Sequence, residues 1–288
     1  MATFLRNLVD QHASRLLENF QPSERFEKLI GRFDSIPTTS IESAVEPLVS
    51  VVPDVKEMVT KSKEKCSDPK EGLNVDESAA IMLYTLEWTP RENSFYIILN
   101  RTLRKEDQTL LKPWHSYLKL FVSALEKLPV VVETIYRGVK KNMADQYPKG
   151  KKFTWWSFTS CTKSVEVLQS DQFLGKTGPR TLFSIQCESG RCIQQHSYFP
   201  SEDEVLLLAG RKFEVTSSLD SGNELVIIQL KEIESDEPLL GTSKSQGSTT
   251  DRRTTDFPTM PKLPPLPELP KGFPPMPLGL PKFPRPSS

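Results

Sequence analysis

Apolar residues along this chain change their spacing part-way through. VPDVKEMVTKSKEKC (52–66) repeats them at the three-to-four-residue interval of a helix. NVDESAAIMLYTLEW (74–88) opens with the acids that suit a helix N-terminus. SFYIILNRTLRKED (94–107) and KPWHSYLKLFVSALEKL (112–128) continue the helical pattern, the second with Pro113 in its expected first turn. From residue 130 the pattern becomes short β-rich runs: VVVETIYRGV, FTWWSFTSCT, RTLFSIQC, EVLLLAG, RKFEVTSSL and NELVIIQLKEI. Gly, Pro and Asp clusters separate these runs. Helices first and strands second predict an α+β fold, a helical subdomain leaning on a mostly antiparallel sheet, and do not suit a doubly wound one.

Composition sets the limits of that domain. The globular part is expected from roughly residue 24 to 235, and the text turns polar in GTSKSQGSTTDRRTTD (241–256). The remainder, 257–288, holds twelve of the chain's 24 prolines. Proline lacks the N–H that ladders need, so this segment is expected to be polyproline II or disordered. Leu263, Leu266 and Leu269 would line one ridge of such a helix. The tail is then either a docking peptide for an SH3- or WW-type groove or a low-complexity segment without a fixed partner.

Charge and cysteine usage exclude several functions. Lys+Arg and Asp+Glu number 37 each, which gives no support for binding nucleic acid or an anionic membrane. No stretch approaches a membrane span in apolar length, and the amphipathic start, MATFLRNLVDQHASRLLENF, has no signal-peptide core. A cytoplasmic protein is the expectation. Cys66, Cys161, Cys187 and Cys192 lack CxxC spacing, and with three histidines a metal site is not expected. Cys187 and Cys192 would be close enough to pair across a hairpin in a secreted chain. GKT at 175–177 is no phosphate loop, because Ser170 stands where the pattern needs glycine.

Three features of the β-rich half carry chemistry. In TIYRGV, Arg137 ends an apolar run with Gly138 after it, a setting for a half-exposed arginine or for a phosphate or ribose ligand. In WWSFTSCT, read as one strand, Ser160 and Thr162 share a face and Cys161 takes the other. In HSYFPSEDEVLLLAG (196–210), an extended backbone would set Glu202 and Glu204 side by side with Asp203 turned away. By itself that pair is a solvated acidic turn or two carboxylates aimed into a cleft.

Taken in order, Tyr136-Arg137-Gly138, Phe158-Thr159-Ser160-Cys161-Thr162 and Ser197 through Leu206 with its Glu202-Asp203-Glu204 resemble the arginine-specific mono-ADP-ribosyltransferases, a family defined by an R-S-E constellation. The helical half, in DESAAIMLYTLEW and LKPWHSYLKLF, is similar to the helical region upstream in those enzymes. Cys161 and Thr162 depart from the usual Thr and Ser, while Ser160 is intact. The resemblance implies an ADP-ribosyltransferase-like fold over 35–235, with a helical region packed on a split sheet, an N-terminal helical extension over 1–34 and a tail over 236–288.

It also implies the chemistry. ADP-ribose would pass from NAD, or from NADP, to an arginine side chain of an acceptor protein, without a metal. Glu204 would hold the ribose 2′-hydroxyl and stabilise the oxocarbenium-like state, and Glu202 would orient the acceptor guanidinium. Arg137 would clamp the donor, Gly138 would offer backbone bonds to the nicotinamide amide, and Ser160 would brace Glu204 and the ribose. The 164–178 loop would cover the nicotinamide, with Phe173 as a stacking ring. An NAD glycohydrolase, or an inactive relative working through its tail, are the alternatives.

Overall fold

The computed structural model describes residues 36–234, apart from 106, 171 and 172. The N-terminal extension and the proline-rich tail therefore lie outside the described residues.

Five helices form the first half: α1 (Ile41–Val45), α2 (Val55–Glu64), α3 (Val75–Thr85), α4 (Phe95–Leu103) and α5 (His115–Lys127). Their starts follow from local chemistry. Ser40 caps α1 by accepting from the Ser43 N–H. Asn74 and Glu77 exchange side-chain and backbone bonds in a full capping box at α3. Pro113 falls inside a 3-10 turn, Gln108–Trp114, that leads into α5, so it precedes the expected helix rather than sitting in its first turn.

The second half is a nine-stranded sheet. Its strands are β1 (Val130–Val131), β2 (Thr134–Val139), β3 (Lys152–Trp155), β4 (Thr159–Thr162), β5 (Arg180–Gln186), β6 (Gly190–Cys192), β7 (Glu204–Leu207), β8 (Arg211–Asp220) and β9 (Leu225–Ile233). They lie in the order β1-β6-β7-β4-β2-β5-β9-β8-β3, and all pairs are antiparallel except β5 with β9. A short helix α6 (Val165–Leu168) follows β4.

One expected strand proves to be two. WWSFTSCT is interrupted at Trp156–Phe158, and its pieces lie far apart, with β3 at the sheet edge on β8 and β4 between β7 and β2. Aromatic burial accompanies the break. Trp155 packs against Phe213 at 4.7 Å in the sheet core, whereas Phe158 packs edge-on against Phe121 at 5.0 Å in the helical core. Alternation alone would allow this on one strand; what separates the pieces is position, since β3 pairs at the sheet edge and four strands stand between it and β4. The chain is handed from one core to the other, and β4 begins where the second anchor ends.

Candidate active site

Cross-strand register assembles the first part of the site. Tyr136 on β2 pairs with Thr162 on β4, which pairs with Glu204 on β7. Residues directly opposite share a face, so these three form a row. Ser160 lies two positions along the same face of β4, opposite Leu206. β4 and β7 are buried along their whole lengths.

Arg137 leaves β2 from the other face. It stands mid-strand, not at the strand end expected, and at 2% exposed it does not fit the half-exposed alternative. In the described residues β2 and β4 pair at Tyr136–Thr162 alone, and just beyond that point the guanidinium Nη1 donates to the Ser160 carbonyl at 2.7 Å. Arginine and serine of the motif are thus joined through backbone, by a side chain crossing where the two strands separate. The Cys161 thiol between them is pushed far up by burial, with the Arg137 charge opposing and Cys187 and Glu204 reinforcing the shift. Arg137 and Glu204 therefore both act electrostatically on the residue next to Ser160.

The two glutamates reach the site differently from the extended pair expected. Pro200–Glu202 is a 3-10 turn, Asp203 sits in the left-handed region at φ 51°, and β7 starts at Glu204. The proline starts the turn, and an aspartate tolerates the positive φ that most residues resist. Both carboxylates are nonetheless buried, Glu202 at 4% and Glu204 at 0% exposed, and Asp203 is half-buried. That burial rules out a solvated acidic turn, since ionisable groups are withdrawn from water only at a cost.

Sequence reasoning gave Ser197 and His196 no role. Ser197 Oγ donates to Glu204 Oε2 at 3.3 Å and accepts from the Phe199 N–H at 3.1 Å. A serine seven residues before a glutamate carries no local signal, because the loop between them folds back: the Ile193 N–H donates to the Glu204 carbonyl at 3.1 Å. The Tyr198 N–H donates to Thr85 Oγ1 on α3 at 2.9 Å, which ties the same loop to the helical half.

Gly138 faces the segment after β4. A methyl group there would come within 3.1 Å of the Leu174 side chain, so that leucine lies directly on the glycine. Phe173 is buried in that small cluster with Leu168, Leu174 and a partly buried Tyr136. Segment 164–178 thus flanks the Tyr136–Gly138 strand, although 171 and 172 lie outside the described residues.

Comparison with known proteins bears on this geometry. The NAD:arginine ADP-ribosyltransferase family profile matches residues 39–237. The chain belongs to that family. A Mycobacterium avium (strain 104) protein, Mav, named as a candidate NAD(+)--arginine ADP-ribosyltransferase, is 32% identical over 57% of this chain and 19% of its own length. T-cell ecto-ADP-ribosyltransferase 1 of Rattus norvegicus is 31% identical over 50% of this chain and 49% of its own length. The chain thus spans half or less of these relatives. The eukaryotic mono-ADP-ribosyltransferase ART2.2 superposes with a TM-score of 0.52 at 21% identity, over 80% of this chain and 96% of that one. A variant of it in complex with NADH gives 0.52 at 20% identity, over 80% and 95%. At such identities the likeness concerns the fold, an α+β ADP-ribosyltransferase fold with a mostly antiparallel mixed sheet.

Among the described residues, no helix is long and apolar enough to cross a membrane, and no group of His, Cys, Asp and Glu is arranged to hold a metal ion.

Proposed function

We propose that this enzyme transfers the ADP-ribose of NAD to arginine side chains of an acceptor protein and releases nicotinamide. The observation that carries this reading is the buried Glu204 carboxylate, aligned with Thr162 and hydrogen-bonded by Ser197, with a second buried acid two residues before it.

Breaking the bond between nicotinamide and ribose builds positive charge on the sugar, as in glycoside hydrolysis. A fixed carboxylate away from water stabilises that state more than the ground state, which is the difference that lowers the barrier. Glu204 is assigned this task together with the ribose 2′-hydroxyl, and Ser197 holds it at the required angle. Glu202 orients the acceptor guanidinium and takes the proton lost as the new C–N bond forms, while the pyridinium leaves as neutral nicotinamide. Arg137 is assigned to the donor phosphate or its neighbouring ribose, and its bond to the Ser160 carbonyl fixes the direction of the planar guanidinium. Ser160 braces the ribose and the Glu204 region, and the Gly138 backbone receives the nicotinamide amide, with Phe173 beside it. NADP is a second candidate donor.

The test uses purified protein, NAD and a small guanidine acceptor, with nicotinamide and ADP-ribosyl-guanidine quantified together. The wild type should give both products. Glu204→Gln should give neither, with a loss of about 10²–10³ in turnover, and Glu202→Gln should hydrolyse NAD without transfer. Nicotinamide without a guanidine adduct from the wild type would make the protein a glycohydrolase instead.

Two further parts of the proposal lie outside the site. A cytoplasmic setting is in keeping with four cysteines that are all free. The every-third-residue spacing of Leu263, Leu266 and Leu269 is matched to an SH3- or WW-type groove, to be checked by binding of a synthetic 257–288 peptide to such domains.

A further inference from the structure

The loop that carries both glutamates also holds a buried histidine that the chemistry does not use. His196 is fully buried, immediately before the serine that bonds Glu204. Its Nδ1 lies 2.9 Å from Ser78 Oγ on α3, and its Nε2 stands 3.2 Å from Glu71 Oε2 in the α2–α3 loop. A neutral imidazole accepts from the serine hydroxyl at Nδ1 and keeps Nε2 within ion-pair distance of the carboxylate, without a well-aligned hydrogen bond to it. Serine, histidine and glutamate in this order look like a hydrolytic triad. Yet Ser78 lies on α3, which is buried on every side from Glu77 to Thr85, so the group sits inside the helical half and ties the loop to it.

The α2–α3 loop supplies a second, independent observation. Glu71 has φ 57° and Gly72 φ 74°, and the Leu73 N–H returns to the Lys70 carbonyl at 3.1 Å. That is a turn with two left-handed central residues, where Asn, Asp or Gly are the favoured occupants. The sequence places a glutamate at the first of them. An Asp or Asn would suit the turn better, but only the longer side chain is seen reaching His196.

We propose that His196, gripped by Ser78 and Glu71, is a positioning residue that sets the Ser197–Glu204 hydrogen bond and makes turnover depend on its own protonation. This rests on the transferase reading above. The two grips come from the helical half, whereas the residues they position belong to the sheet half. Protonating the ring would place a buried cation in the clamp and turn Nδ1 from acceptor to donor, so Ser78 would have to reverse its hydroxyl. The titratable groups around the ring are Glu71 and, beyond Ser78, Cys66, with Glu202 and Glu204 further along its own loop. Burial holds the imidazole below its usual value and Glu71 opposes that shift. The neutral clamp is therefore intact above about pH 6.5 and is lost as pH falls through the lowered value.

The experiment compares kcat and the KM for NAD of the full-length wild type, His196→Ala, His196→Asn and Glu71→Gln across the acid range. His196→Ala should lose up to about 10²-fold in kcat, the scale of a misplaced catalytic group, with KM unchanged. His196→Asn keeps an acceptor for Ser78 and cannot titrate, so it should recover most of kcat and lack the wild type's acid limb in the histidine range. Glu71→Gln should shift that limb to lower pH. A folded alanine variant with wild-type kcat, a loss confined to KM, or an acid limb surviving in the asparagine variant would each overturn the proposal. Should the alanine variant fail to fold, the other two variants still decide it. Amide exchange at residues 197–204 reads the clamp without any activity. It should be faster in His196→Asn at pH values where the wild type is neutral than in the wild type itself only if Glu71 contributes, and faster still in His196→Ala. Unchanged exchange in His196→Ala overturns the clamp, whereas an inactive wild type with altered exchange overturns the transferase reading alone.

Discussion

In the helical half, every residue of α3 from Glu77 to Thr85 is buried, whereas β9 in the sheet half buries residues in alternation. A helix closed on all sides has no face to offer a ligand. Its polar residues must be satisfied inside the protein, and Ser78 and Thr85 both spend a hydroxyl on the 193–204 loop. The sheet half holds the acids, but β4 and β7, which flank the site, are the strands that lose the alternation and are buried on both faces. They lie between the helical core and the sheet core: Leu206 belongs to the first, and Cys161 and Val205 to the second. On the proposed function, the comparison teaches a division of labour in which the sheet carries the reacting groups and the helices aim them.

The largest expected effect comes from cutting the two halves apart. Phe158 precedes β4 yet packs among helical aromatics, at 5.0 Å from Phe121 and 5.8 Å from Tyr84. Phe158→Ala should cost about 3–5 kcal/mol of stability by leaving a cavity at that junction. Chemical denaturation measures it. A loss well below about 1 kcal/mol would mean that β4 is held by the sheet alone and that the helical half is a passive neighbour.

A smaller effect is expected from the tie between α3 and the loop. Thr85 is fully buried, and its Oγ1 accepts from the Tyr198 N–H while donating to the Met82 carbonyl. Thr85→Val keeps the shape and removes the acceptor, which should cost about 1–3 kcal/mol. Turnover should fall with it, because the loop holding Glu202 and Glu204 loses an anchor. A variant as active as the wild type would separate aiming from this contact and leave it to His196.

How much of this was legible in the sequence follows the same division. Three of the four long helices and the longer strands announced themselves because each buries a face with its own period, and α3, closed on all sides, by the acids at its start. The motif residues Arg137, Ser160, Glu202 and Glu204 were each ambiguous alone and stood out only through their order along the chain, which resembles the family's pattern. Their geometry could not. Trp155 and Phe158 read as one strand because nothing local says that the chain leaves the sheet edge between them and re-enters beside β7. Asp203 read as extended because its positive φ depends on the turn that Pro200 begins. β6 is three residues long and showed no period at all. Ser197, His196, Ser78 and Glu71 were invisible because the fold brings their partners together, Ser78 and His196 from 118 residues apart, which spacing along the chain cannot reveal.

The smallest effect tests whether burial decides which contacts aim the loop. Lys65, exposed at the end of α2, holds its ammonium 5.0 Å from the centre of the Tyr198 ring. This too joins the helical half to the loop, at the same residue whose N–H meets Thr85. An exposed cation–π contact is worth about 0.5–1 kcal/mol and competes with water and salt. Lys65→Ala should therefore lower the melting temperature by about 1–4 °C for a domain of this size, and added salt should narrow the gap. Turnover should stay within about twofold of the wild type, a change worth less than half a kcal/mol. A fall as large as that of Thr85→Val would show that surface contacts from the helices aim the glutamates as strongly as the buried hydroxyls, and the division between a reacting sheet and an aiming helical interior would have to be redrawn.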